Sequence, residues 1–174
     1  FIISNKKIMI KNYFNNDAFF KKIIKKKKDK RISAEYKKIL KYKKMIKFVY
    51  QNNPRGTGDA VLKTKNFIKD DYFLMLLPDD LIIKKNCSKA MISVHKKYKS
   101  SVMASMTVNK KDVSRWGIYN LGKKINKNNY LIKGVVEKPS IKIAPSNKAV
   151  IGRYILPKSI FKKLSNQKPD KNGE

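Results

Sequence analysis

The stretch "YFLMLLPDD", residues 72 to 80, limits what this chain can become more than any other. Seven apolar residues run without a break and then stop at two acids. A run this short cannot cross a bilayer, and it lacks the alternation of a strand with one wet face. It therefore predicts a strand buried on both faces, which requires covering layers on either side. "SVMASMTV", 101 to 108, reads the same way, and the periodic "SKAMISVHKKYK" between them predicts a helix with Ser88 as its cap.

The remaining segments fill out an α/β chain. Residues 1 to 14 read as a connecting segment into a helix over "AFFKKIIKKKK", capped by Asn16 or Asp17. A second helix is expected from Ser33 through "AEYKKILKYKK", a strand over 45 to 51, and a helix over "TGDAVLKTKNFI". "WGIYNL" and "YLIKGVVEK" predict two strands joined by the polar "GKKINKNN". "KAVIGRYIL", 148 to 156, predicts a last strand before a helix at "PKSIFKKLSNQ" with Pro157 in its first turn. Strand and helix alternate, so the expected architecture is a mixed, mostly parallel sheet flanked by helices, with an antiparallel excursion late in the chain. Residues 1 to 174 are expected to form a single domain.

Composition matters chiefly through a charge that invites the wrong conclusion. The formal net charge is +31, which suggests nucleic-acid binding by release of counterions from phosphates. Only Arg31, Arg55, Arg115 and Arg153 among the 43 basic residues are arginine, the residue that bidentate and stacked nucleic-acid contacts favour. Lysine, asparagine and isoleucine rise together, which reads as a compositional drift toward AT-rich codons and makes the charge a surface property. No nucleic-acid partner is expected. Nor is a membrane span or a signal peptide, and with the lone Cys87 this points to the cytoplasm. Cys87 and His95 are too few for nucleophilic or zinc chemistry.

In open α/β sheets ligands bind at the carboxyl ends of strands. Asp79 and Asp80 leave a buried strand there, and carboxylates so placed suit a magnesium ion shared with substrate phosphates; a helix cap or loop acid remains the other reading. "QNNPRGTGDAVL", 51 to 62, follows the strand ending at Gln51. It fits neither the phosphate-binding Gly-x-x-x-x-Gly-Lys spacing nor Gly-x-Gly-x-x-Gly. A glutamine offers a donor and an acceptor, as base edges do, and Gly56 and Gly58 let a ligand lie close to the main chain; a glycine-rich helix start is the alternative. In "GVVEKPS", Glu137 can accept two sugar hydroxyls and Lys138 can hold a phosphate, against the plainer reading of a solvated pair. Gly117, beside a Trp116 that also reads as a core residue, leaves room for a ligand at the backbone.

Taken in order, Gln51, Gly56-Thr57-Gly58-Asp59-Ala60, Pro78-Asp79-Asp80, Trp116-Gly117-Ile118 and "GVVEKPSIKIAPSNKAVIGRYIL" resemble the sugar-phosphate nucleotidyltransferases. The resemblance covers nearly the whole chain and implies a Rossmann-like nucleotidyltransferase fold. It implies that Gln51 and Gly56 contact the uracil of UTP and that Asp79 binds Mg2+ at the nucleotide phosphates. Gly117 and Glu137 would hold glucose and Lys138 its phosphate, making Asp79 and Lys138 the catalytic pair. The implied reaction converts UTP and glucose-1-phosphate to UDP-glucose and pyrophosphate, in a homo-oligomer. Relatives with thymidylyl or cytidylyl transfer share the pattern. Two departures concern the base: Trp116 stands where relatives commonly have tyrosine, and Asp59 where they often have histidine. The family's glycine-rich triphosphate motif and a later metal-binding acid are not found in the sequence. The domain is accordingly expected to be incomplete at both ends and inactive alone.

Overall fold

The computed structural model describes residues 1–15, 17–83 and 85–167, and they form two compact units: residues 1–69 with 159 onward, and residues 70–158. In chain order the elements are β1 (Ile2–Ile3), α1 (Ile8–Asn15), α2 (Ala18–Lys27), α3 (Lys30–Lys43), β2 (Val49–Tyr50) and α4 (Gly56–Leu62). There follow β3 (Tyr72–Leu76), α5 (Cys87–Tyr98), β4 (Val102–Thr107), β5 (Gly117–Lys124), β6 (Tyr130–Glu137), β7 (Lys148–Pro157) and α6 (Ile160–Asn166). Short 3-10 turns precede α1 and β5. None of the helices is long and apolar enough to cross a membrane among the described residues.

In the first unit the beginning of the chain is more ordered than a connector. Ile2 and Ile3 pair in parallel with Val49 and Tyr50, so β2 is two residues long, not the seven expected. Rings bind the helices to this ribbon: Phe14 stacks on Phe1 at 5.4 Å, Tyr13 meets Phe20 edge-on at 5.3 Å, and Phe20 stacks on Tyr36 at 6.3 Å. α3 begins earlier than Ser33 because Asp29 caps it, its carboxylate accepting from the amides of Arg31 (2.7 Å) and Ile32 (3.4 Å). Asp17 precedes α2 as expected but caps it with no side-chain bond; its carboxylate accepts instead from the Tyr36 hydroxyl at 2.6 Å. The alternative cap, Asn16, lies outside the described residues. α4 ends at Leu62, and Gly58 gives it room beside α6, where a β-carbon would meet Leu164 Cδ2 at 3.1 Å.

The second unit corrects the expectation of a mostly parallel sheet. Its sheet runs β3-β7-β5-β6 with β4 also on β7, and every pairing is antiparallel. Tyr154 and Ile155 of β7 pair with Met75 and Leu74 of β3 and also with Met103 and Val102 of β4. β3 and β4 thus run in the same direction, as a strand-helix-strand order requires, but β7 lies between them. The ten-residue β7 buries Ala149, Gly152 and Ile155 and is the sheet's central strand. Two small cores flank it: Met91, Ala104 and Ile155 with Leu74 and Val102, and Val113, Ile118 and Ala149 with Trp116.

Two local details differ from the sequence reading, and a third adds a tie between strands. α5 is capped by Asn86, whose side chain accepts from the Lys89 amide at 2.9 Å, so Ser88 is already inside the helix. Pro157 closes β7 and α6 starts at Ile160. In the segment "APSN", Ser146 donates its hydroxyl to the Tyr119 carbonyl at 2.7 Å and accepts from the Lys148 amide at 3.1 Å, tying the entry of β7 to β5.

Candidate functional site

In the first unit, the chain leaves β2 at Gln51, whose amide donates to the Ile3 carbonyl at 2.8 Å. Five residues later Gly56 opens α4 with φ = 80°, a left-handed conformation that a side chain disfavours. That conformation turns the Gly56 carbonyl toward Gln51, which donates from Nε2 to it at 3.2 Å and to Asp59 Oδ2 at 2.7 Å. The side-chain nitrogen therefore has two acceptors within the protein, and Oε1 is the part of the amide without a hydrogen-bond partner among the described residues. Gln51 and Gly56 are brought together as the sequence suggested. The part of Asp59 was not anticipated.

In the second unit, Asp79 and Asp80 follow β3 and differ in what they do. Asp80 Oδ2 accepts from the Gly152 amide at 2.5 Å. Arg153 donates to the carbonyls of Leu77 and Gly152, each at 2.7 Å, and to the carbonyl of Asp80. The Leu77 amide donates to the Gly152 carbonyl at 2.8 Å. This set of bonds holds the "LLPDD" turn against β7, and the fit requires glycine at 152. A β-carbon there would overlap Leu77 Cβ and come within 2.7 Å of Leu77 Cγ and 2.8 Å of Asp80 Oδ2. Asp79, held in the same turn, is exposed and accepts no hydrogen bond among the described residues.

Gly117 and Glu137 are register partners across β5 and β6, and Glu137 Oε2 lies 2.9 Å from where a Gly117 β-carbon would be. Lys138 follows with φ = 44°, its amide donating to the Trp116 carbonyl at 3.0 Å. Its ammonium lies 3.9 Å from Glu137 Oε1, and both side chains are about two-thirds exposed or more (67% and 71%). Trp116 is half-buried against Val113, Ile118 and Ala149, and it also lines a cavity of about 480 Å³ with Thr107, Asn109, Asp112 and Arg115. The phenol of Tyr154, on β7, is pushed up from its ordinary pKa first by burial and then by the charges of Asp80, Asp79 and Glu137. One tyrosine thus feels all three carboxylates, which places the ends of β3 and β6 in a common electrostatic neighbourhood.

Among the described residues no cluster of three or more His, Cys, Asp or Glu side chains could hold a metal by itself. A single free carboxylate such as Asp79 does fit a magnesium ion, which takes one or two carboxylates and completes its shell with water and phosphate oxygens. The strand-end pattern alone offers Asp79 and Asp80 alike, the family resemblance singles out Asp79, and neither gives Arg153 a task. The available signal for Arg153 was its rarity: an arginine kept in a chain whose cations are otherwise nearly all lysine. Exposed lysines occur in both units, on α2 and α3 and on α5 and the β5–β6 hairpin.

Comparison with known proteins identifies the family. The model of the family described as "Nucleotidyl transferase" matches residues 1–174. A UTP--glucose-1-phosphate uridylyltransferase 2 of Streptococcus pyogenes serotype M3 is 37% identical over 134 residues, which is 74% of this chain and 45% of that protein. The crystal structure of an apo UDP-glucose pyrophosphorylase superposes with a TM-score of 0.83 at 34% identity, covering 99% of this chain and 64% of that one. A UDP-glucose pyrophosphorylase complexed with UDP-glucose gives a TM-score of 0.68 at 37% identity, covering 80% of this chain and 56% of the other. The chain spans about half the length of the curated relatives it matches.

Proposed function

This chain belongs to the nucleotidyl transferase family, and from that premise we propose that it carries the base- and sugar-recognising residues of an enzyme that makes UDP-glucose and pyrophosphate from UTP and glucose-1-phosphate. Relatives named for that reaction support the reading. The observation that carries it is the difference between two adjacent acids: Asp80 is bound to the Gly152 amide, while Asp79 stands exposed beyond β3, a strand that is half-buried and not buried on both faces as its apolar run predicted. A fold stabilised by Asp80 has no structural need for Asp79. On this reading residues 1 to 174 belong to one nucleotidyltransferase domain.

The roles follow from donor and acceptor chemistry. Gln51 and Gly56 meet the uracil. Glu137, beside the bare backbone of Gly117, accepts from two glucose hydroxyls, and Lys138 holds the sugar phosphate as a point charge. The phosphate oxygen of glucose-1-phosphate then attacks the α-phosphorus of UTP. That P–O bond forms as the bond to the bridging oxygen of the departing pyrophosphate breaks, with no covalent intermediate on the protein. Catalysis of this kind rests on positioning and on neutralising charge. Magnesium held by Asp79 would supply part of that neutralisation at the triphosphate.

The same reading extends to the cytoplasm as the compartment and to association between copies, for which exposed Leu131, Ile132, Val135 and Val136 on β6 offer an apolar edge. The test is calorimetric titration of UTP with and without Mg2+ into the chain and its Asp79→Asn variant. UTP binding that strengthens with Mg2+ only when Asp79 is present is the expected result. Absence of UTP binding, or a variant indistinguishable from the parent, overturns it. Parallel titrations with CTP and dTTP decide among bases.

A further inference from the structure

We propose that Asp59 is a positioning residue that fixes which end of the Gln51 amide faces the nucleotide, so that the site selects uracil over cytosine. The inference rests on the reading above that Gln51 meets the base. A free glutamine amide can turn over and offer either its NH2 or its oxygen, and so does not by itself distinguish a base edge from its complement. Gln51 is not free. Its nitrogen faces two acceptors, the Gly56 carbonyl at 3.2 Å and Asp59 Oδ2 at 2.7 Å. Turning the amide over would set its oxygen against both, leaving repulsion where two hydrogen bonds had been.

The carboxylate makes this orientation one-sided. A histidine or an asparagine at 59 could donate as well as accept and would tolerate either orientation, whereas an ionised carboxylate only accepts. Lys63 lies one helical turn on, with Nζ 3.9 Å from Asp59 Oδ1, and the Asp59 side chain is only 24% exposed. Gly56 contributes the second acceptor through its positive φ, so the spacing Gly56-x-x-Asp59 builds both halves of the lock on one turn of α4.

What remains for a ligand is an acceptor, Oε1. Uracil presents N3–H there, a donor. Cytosine in the same pose presents an unprotonated N3, and two acceptors then face one another. Thymine shares the uracil edge and is not separated by this device.

The experiment compares UTP and CTP binding, by calorimetry, for the chain as it stands and for Asp59→Leu and Asp59→Asn. The parent is expected to prefer UTP by at least about tenfold, the scale set by one hydrogen bond exchanged for one repulsion. Asp59→Leu is expected to lower that preference to about threefold or less, chiefly by weakening UTP, since the Gly56 carbonyl alone holds the amide less firmly. Asp59→Asn, which still accepts but can also donate to a turned-over amide, is expected to fall between the parent and Asp59→Leu. A merely structural role for Asp59 would weaken both nucleotides by the same factor and leave the ratio unchanged; that result overturns the proposal. If the parent binds neither nucleotide, the function proposed for the site fails as well, whereas UTP preference untouched by Asp59→Leu sinks the positioning role alone. Should Asp59→Leu fail to fold, hydrogen exchange of the Gln51 side-chain amide in the nucleotide-free parent decides. Protection of its NH2 protons relative to the exposed Gln167 supports the lock, and exchange at the rate of an exposed glutamine refutes it.

Discussion

The two units handle their polar site residues in opposite ways. Around Gln51 the protein itself occupies the donors of the recognising side chain, through Gly56 and Asp59, and leaves one defined acceptor. Around "LLPDD" the labour is divided between neighbours: Asp80 and Arg153 are absorbed into the fold, and Asp79 is left open. The difference suits the ligand groups proposed for each. A base edge is read by direction, so an amide must be prevented from turning. A metal-bridged phosphate is held by charge, so a carboxylate needs a firm backbone beneath it and freedom at its tip.

The severest way to break the second arrangement is Gly152→Ala. The added methyl would overlap Leu77 and press on Asp80, and neither can retreat without losing its bond to β7. Overpacking in such a place costs about 1–3 kcal/mol, and the broken ties move the expectation to the top of that range. Chemical denaturation should show the loss as a lower midpoint with an unchanged slope. A destabilisation under about 0.5 kcal/mol, the scale of an ordinary surface change, would mean that the turn is not packed as tightly as the structure shows.

How far these features were legible in the sequence depends on the distance over which they are built. The β3 run, the β5–β6 strand pair and the apolar β7 are local patterns, and their ranges fell within a few residues of expectation. The direction of the sheet was not legible, because the neighbour that separates β3 from β4 arrives more than forty residues after β4. Arg153 donates to carbonyls 76 and 73 residues earlier in the chain, and no spacing rule connects them. Ser88 reads as the cap from the sequence, but Asn86 can serve as well, and only the backbone conformation at Asn86 (φ −79°, ψ 87°) decides. The candidate residues themselves were readable, since Gln51, Asp79 and Lys138 follow strands and Glu137 ends one. What could not be read was which of their neighbours would be taken up by the fold.

The division between Asp79 and Asp80 is tested by a matched pair of substitutions. Asp80→Asn can present an amide oxygen to Gly152 but loses the charge, so it is expected to cost about 1 kcal/mol of stability. Asp79→Asn removes no bond and is expected to leave stability within about 0.5 kcal/mol of the parent while reducing Mg2+-dependent UTP binding. Thermal melts with and without UTP and Mg2+ measure both effects at once, because a ligand that binds only the folded chain raises its melting temperature. Equal losses of stability from the two variants would erase the distinction on which the metal assignment rests.

The smallest expected effect contrasts two tyrosines. Tyr36, in the first unit, has its phenol raised from 10 to about 12, first because it donates to Asp17 and only then through burial. Tyr154, in the second unit, is raised first by burial and then by the surrounding carboxylates. Asp17 is held below its usual value chiefly by the Tyr36 hydroxyl and then by Lys21. A raised pKa means that the folded state favours the protonated phenol, so its contribution is complete below pH 10 and is lost as pH rises from 10 to about 12. The lowered Asp17 acts in the other direction: its contribution is present above pH 3.8 and disappears as pH falls through its folded value. The pairing of α2 with α3 is therefore firmest between these limits, and Tyr36→Phe should flatten both edges of the pH–stability curve relative to the parent. Titration of phenol absorbance supplies the finer contrast. Asp17→Asn should return one tyrosine toward pH 10 and leave Tyr154 where it was, because a shift made by a partner leaves with the partner and a shift made by burial does not. If both tyrosines moved together, the polar tie of the first unit and the half-buried phenol of the second would not be independent devices.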